Sequence, residues 1–174
     1  MSIIPSLLVR PPAPVLASAA RERDADMRGR TLVLGFLVFV AIFLAGLIWT
    51  QYFAYYERQK GVGTLAIAGA VVPVADYDGI DSASSPLKLR GCLEIDPARV
   101  ARLAPPPAPQ ATPLNPPFWF RCFDAGRLTD DLASGAARAY DIGRDQPEGF
   151  DLMLAVYPDG RAYVWRQLNQ RFAD

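Results

Sequence analysis

Two cysteines, Cys92 in "LKLRGCLEID" and Cys122 in "NPPFWFRCFDA", are the only thiols in the chain. Such a pair can be a redox centre, half of a metal site, or a covalent staple. The two lie thirty residues apart with no C-x-x-C spacing, which disfavours a thioredoxin-like centre. The chain has no histidine. That removes Ser-His-Asp and Cys-His catalysis, the commonest general base and the commonest transition-metal ligand. A zinc site would have to complete two thiolates with carboxylates alone, a rare arrangement. In an oxidising compartment an even pair is most simply a disulfide between Cys92 and Cys122; two free thiols, or metal or catalytic use, are the alternatives. Closing a loop of that length would stabilise the fold by roughly 3–4 kcal/mol on the chain-entropy account.

Other chemistry-bearing groups are weaker. Asp130 and Asp131 are adjacent in a helical pattern, so their carboxylates diverge and fit a solvated face. "DYDGID" (Asp76, Asp78, Asp81) has calcium-loop character but lacks the downstream glutamate of an EF-hand, and a turn explains it better. The glycines of "GVGTLAIAG" have the wrong spacing for a dinucleotide fingerprint. Lys88, Arg90, Arg121, Arg161 and Arg166 would form an anion or partner patch if their strands were neighbours, with simple surface solvation as the alternative. No catalytic residue, metal ligand or cofactor-binding residue is assigned, and the chain is expected not to be an enzyme.

The element that positions everything else is a membrane span. Thr31 to Tyr56 are 26 residues without a formal charge. The apolar heart, Leu32 to Trp49, would reach roughly 27 Å as a helix, close to a bilayer's hydrocarbon thickness. Trp49, Tyr52, Phe53, Tyr55 and Tyr56 form an aromatic belt at one interface. A cleaved signal peptide is the rival. Cleavage after Ala54 would place Tyr52 where a small residue is wanted, so residues 31–56 are expected to stay as an uncleaved anchor in the lipid bilayer. Arg21, Arg23, Arg28 and Arg30 precede the span, and only Arg58 and Lys60 follow it closely. The N-terminus is therefore expected in the cytoplasm and the larger part outside, which in a bacterium is the periplasm. Residues 1–30 form the cytoplasmic tail, and residues 1–26, with four prolines and no period, are expected to be disordered. Met27 begins a complete start for such an anchor, so residues 1–26 are expected to reflect an over-extended start.

Residues 57–63 suggest a linker and residues 64–174 an outer domain. The formal net charge of zero argues against nucleic acid as a partner. "TLAIAGAVVPV" suggests a hairpin about Gly69-Ala70, and "DYDGIDSASSP" a turn. "LKLRGCLEI" alternates as a half-buried strand, with Arg90 and Cys92 on one face. Asp96 and Pro97 start a short helix. Residues 104–117 are a proline-rich connector. "FWFRCF" suggests a strand, with Phe118 and Phe120 on the Cys122 face, and Trp119 and Phe123 on the other. Asp124 caps a second short helix closed by Gly135. "ARAYDIG" is another strand, and "FDLMLAVYPDGRAYVWRQLN" is a hairpin turning at Pro158-Asp159-Gly160. About six strands and two short helices make an α+β domain on a mostly antiparallel sheet, behind a single transmembrane helix.

The motifs "GIDSASSPLKLRGCLE", "FWFRCFDAGRL" and "GFDLMLAVYPDGRAYVWRQLN", after a single span, make residues 27–169 resemble a family of uncharacterised alphaproteobacterial single-pass membrane proteins, a domain of unknown function. The resemblance implies an N-terminal anchor, a small outer domain and two cysteines as family features. It implies chains that start near the span, which favours Met27, and it supplies no activity or binding residues. The expected role is an inner-membrane protein whose periplasmic domain contacts partners, as an accessory or assembly factor of a membrane or envelope complex. The alternative is a periplasmic small-ligand-binding or sensory domain without enzymatic activity.

Overall fold

A computed structural model describes residues 15–172. It divides into two compact units at Ile48/Trp49. The first unit is dominated by helix α1, Val15–Tyr52. Helix α1 contains the candidate span Gly29–Tyr52, 24 residues whose most apolar eighteen have a mean hydropathy of 2.8 and include no buried residue. This helix is long and apolar enough to cross a membrane. It starts sixteen residues before Thr31, so residues 15–26 are helical where the sequence suggests disorder. No proline interrupts the chain between Pro14 and Pro73, and alanine and arginine are frequent in that start. The remainder of the expected disordered tail, residues 1–14, lies outside the described residues.

The second unit is α+β. Its main sheet has six antiparallel strands in the order β1 (Glu57–Lys60), β4 (Ala75–Asp81), β5 (Arg90–Glu94), β8 (Arg161–Leu168), β7 (Phe150–Val156), β6 (Arg138–Gly143). A separate hairpin, β2 (Thr64–Ile67) and β3 (Ala70–Pro73), turns at Ala68-Gly69, both with positive φ. Helices α2 (Pro97–Leu103) and α3 (Ala125–Ser134) complete it, with 3-10 turns at Pro86–Lys88 and Gln170–Phe172. Asp96 and Asp124 cap the two helices by accepting the Ala98 and Arg127 N–H groups. Gly135 ends α3 in the left-handed region at φ 79°.

The sheet is covered on both faces. Ile67 and Val72 of the hairpin and Val100 of α2 pack with Leu93, Leu154, Val156, Ala162 and Val164 on one face. Leu128 of α3, with Phe120 and Phe123, packs with Ile80, Met153, Ala155 and Trp165 on the other. Successive residues of β7 and β8 therefore enter opposite cores, which is why Leu152 to Tyr157 is apolar throughout instead of alternating with polar residues. Tyr77 lies flat over the register pair Gly79↔Gly91. A Cβ at Gly79 would come 2.5 Å from the tyrosine ring, and one at Gly91 would come 2.8 Å from Val164.

Several sequence readings change. Residues 57–60 of the expected linker are β1, hydrogen-bonded to β4. "DYDGID" is strand, because β1 and β5 flank it, and a bulge between Ala75 and Asp78 absorbs Asp76 at φ 50°. The strand expected from Leu87 shortens to β5, after the 3-10 turn that Pro86 opens. "FWFRCF" forms no strand. Pro113, Pro116 and Pro117 leave the run into it short of donors, and Phe120 and Phe123, three apart, enter one core while Phe118 stays 68% exposed. The proline-rich segment runs along the outer edge of β6. Ala108 donates to Ala139 O (3.0 Å), and Asp141 donates to Pro106 O (2.9 Å). It blunts a sheet edge that would otherwise expose unpaired amides.

Candidate functional site

The basic residues do not converge on one surface. Arg90 is 4% exposed: Nε donates to Leu114 O at 2.7 Å, and Nη1 to Leu87 O at 2.6 Å and to Leu89 O at 2.5 Å. Its guanidinium lies over the Phe123 ring, and burial pushes its pKa down to about 10, so it keeps its charge at neutral pH. It fastens the proline-rich segment and the 3-10 turn to β5. Arg166 enters the opposite face and pairs with Asp81 at 3.3 Å. Arg161 sits at the β7–β8 turn, paired with Asp159 at 2.7 Å and stacked over Tyr157. Arg121 is exposed in the loop and makes no ion pair among the described residues. Lys88 lies over the rings of Tyr55 and Tyr56.

The Cys92 and Cys122 sulfurs are bonded, with Cα atoms 6.2 Å apart. The bond ties the 115–123 loop to β5. Just before Cys122 that loop meets the start of the second unit. Trp119 stacks on Phe53, meets Tyr56 edge-on, and lies under the Arg58 guanidinium. Phe118 meets Tyr52 and Phe53 edge-on, with ring centroids at 5.6 and 6.0 Å.

A cleft of about 810 Å³ opens where the proline-rich segment, the β6–β7 loop and the end of β8 meet. Four of the six buried polar residues among the described ones, Asp141, Asp151, Gln167 and Asn169, line it. Asp151 Oδ1 accepts from the Asp145 N–H (2.9 Å) and Asn169 Nδ2 (3.0 Å). Asp145 in turn accepts from the Gly149 N–H at 2.7 Å and pairs with Arg171 at 2.9 Å. Those contacts, the Gly149 bond foremost, hold its carboxyl below the usual carboxylate range. Asp141 pairs with Arg144 at 2.9 Å. Gln167 accepts from the Thr112 N–H (2.7 Å) and donates to Gln110 O (3.2 Å). The buried side chains thus brace the walls, and Arg144 and Arg171 stand at the rim. Among the described residues, no group of three or more His, Cys, Asp or Glu is placed to hold a metal ion.

None of the four lining residues stands out in the sequence by motif. A signal existed in the register. The turn centred on Asp159 sets Asp151 opposite Gln167, a polar pair between apolar strands.

A family described as "Family of unknown function (DUF6446)" matches residues 64–174, more than half of the chain. The chain belongs to DUF6446. No curated protein and no solved structure matches it. The DUF6446 match opens at the first residue of β2 and takes in the cleft, both cysteines and all strands but β1. It starts later than the resemblance over 27–169, which takes in the span.

Proposed function

We propose that this DUF6446 chain is a single-pass inner-membrane protein, cytoplasmic at its N-terminus, whose periplasmic domain works by binding a membrane or envelope protein as an accessory or assembly factor. The observation that supports the reading is a helix with eighteen consecutive apolar residues, none buried, leading into a domain braced by a disulfide. Arg21, Arg23, Arg28 and Arg30 close before the span, against Arg58 and Lys60 close after it, favour this orientation. Cross-linking and mass spectrometry in native membranes test it. Recurrent cross-links from residues 57–172 to one envelope protein are expected; a strictly monomeric chain without cross-links overturns the partner. A reporter fused after Asp174 that is active only in the cytoplasm overturns the orientation.

A second reading is a periplasmic small-ligand or sensory domain. It is favoured by the cleft's size, which suits a small ligand, and by its polar lining. It predicts a thermal shift of the purified chain with a polar metabolite, lost in Asn169→Leu.

A further inference from the structure

The loop held by the disulfide carries an aromatic face that the span itself does not explain. Phe118 is 68% exposed, the most exposed large apolar side chain of the second unit after Val71. Tyr52 at 43% and Phe53 at 38% exposure meet it edge-on, and Tyr55 at 51% follows them in the chain. Single exposed apolar residues need no explanation, but a contiguous aromatic group does. Two cations border it, Arg58 over Trp119 and Lys88 over Tyr55 and Tyr56, and exposed Arg121 follows Phe118 by three residues in the chain.

Chain connectivity identifies what meets this face. Trp49 closes the apolar run, and Tyr52 follows it by one helical turn, an advance of about 4.5 Å. Phe118 touches Tyr52, so it lies within about 10 Å of the end of the hydrocarbon span. The headgroup layer on each side of a bilayer is about 5–7 Å thick, and interfacial side chains settle about 5–10 Å deep across its boundary with the acyl chains. Aromatic rings with neighbouring Lys and Arg are the composition that this layer selects.

We propose that the Asn115–Phe123 loop is a lipid-docking foot: Phe118 enters the headgroup–acyl boundary of the outer leaflet, and Arg58, Lys88 and Arg121 meet lipid phosphates. The foot rests on the membrane-spanning reading above. The Cys92–Cys122 bond holds it to the central strand β5, so the domain is fastened to the bilayer at two points of the chain, the helix and this loop. This gives Arg121 its role as a headgroup ligand.

The test uses the full chain in vesicles of phosphatidylcholine and phosphatidylglycerol carrying brominated acyl chains, which quench tryptophan on contact. Phe118→Trp places a reporter in the foot; Phe172→Trp places one at an exposed aromatic remote from it in sequence. The added emission at 118 is expected to be quenched about twofold or more over that at 172. Equal quenching at the two positions overturns the foot. Trp49→Phe separates this from failure of the span: in the parent, quenching should fall when Trp49 is removed. If it falls while the tryptophan at 118 stays unquenched, the span stands and the foot does not. If it does not fall, the span fails and the foot with it. A photoreactive phenylalanine analogue at 118 should give lipid adducts in native membranes; a protein adduct instead assigns the face to a protein neighbour and overturns the foot.

Discussion

The indole Nε1 of Trp119 donates a 2.7 Å hydrogen bond to the carbonyl of Tyr52, the last residue of α1. A helix end leaves its final carbonyls without intrahelical partners, and this bond satisfies one of them from sixty-seven residues away. Trp119→Phe keeps the ring stack and deletes the donor. It should cost about 1 kcal/mol, read as a lower midpoint in denaturant unfolding of the micelle-bound chain. Trp119→Leu, which also removes the stack, should cost more.

Reduction of the Cys92–Cys122 bond frees the loop from β5. Unfolding should become easier by roughly 3–4 kcal/mol. Limited proteolysis should find new cuts between residues 115 and 123 in the reduced chain, while β7 and β8 stay resistant at low protease.

Gly91→Ala and Gly79→Ala should each destabilise by about 1–3 kcal/mol, because Tyr77 and Val164 already occupy the space of the new methyl. Tyr77→Leu in the Gly79→Ala background should recover part of that loss. A double-mutant cycle checks it, since two independent losses would simply add.

Tyr157 sets a pH dependence. Burial, with the 2.6 Å hydrogen bond to Asp131 Oδ2, raises its phenol above the ordinary value. The unfolded chain then ionises first, so this group's stabilisation is complete below about pH 10 and is lost as pH climbs through the folded value. Buried Arg90, with its pKa lowered to about 10, acts in the opposite direction as it deprotonates. The difference between the parent and Tyr157→Phe isolates the tyrosine. The parent's stability should fall relative to the variant's as pH rises above about 10 in denaturant titrations.

Asp151→Ala leaves the Asp145 N–H and Asn169 Nδ2 without their acceptor. The cost should be about 2–3 kcal/mol, and hydrogen exchange should quicken in residues 144–149. Asp151→Asn retains an acceptor oxygen and should lose less.

The elements that local chemistry terminates were legible in the sequence. Pro158-Asp159-Gly160 marks the final hairpin, with Gly160 at φ 95°. Asp96-Pro97, and Asp124 with Gly135, mark the ends of α2 and α3. What escaped depended on neighbours distant in the chain. Glu57–Lys60 has no β signature and becomes strand only because β4 lies beside it. Arg90 looks solvated by alternation, yet three carbonyls and the Phe123 ring close over it. The aromatic run 118–123 has the composition of a strand, but its rings anchor separately in the core and against Tyr52 and Phe53. The cleft was hidden for the same reason. Its walls come from three segments, and its polar side chains have no motif spacing.

The place of β8 has a consequence for biogenesis. It is the last strand in chain order, yet it lies between β5 and β7 at the middle of the sheet. As the chain leaves the ribosome N-terminus first, β5 and β7 face each other across an unfilled slot until β8 is made. Completion of the sheet therefore waits for residues 161–168 to arrive. A frameshift in that short coding stretch would leave two open strand edges, a substrate for proteases rather than a slightly shortened protein.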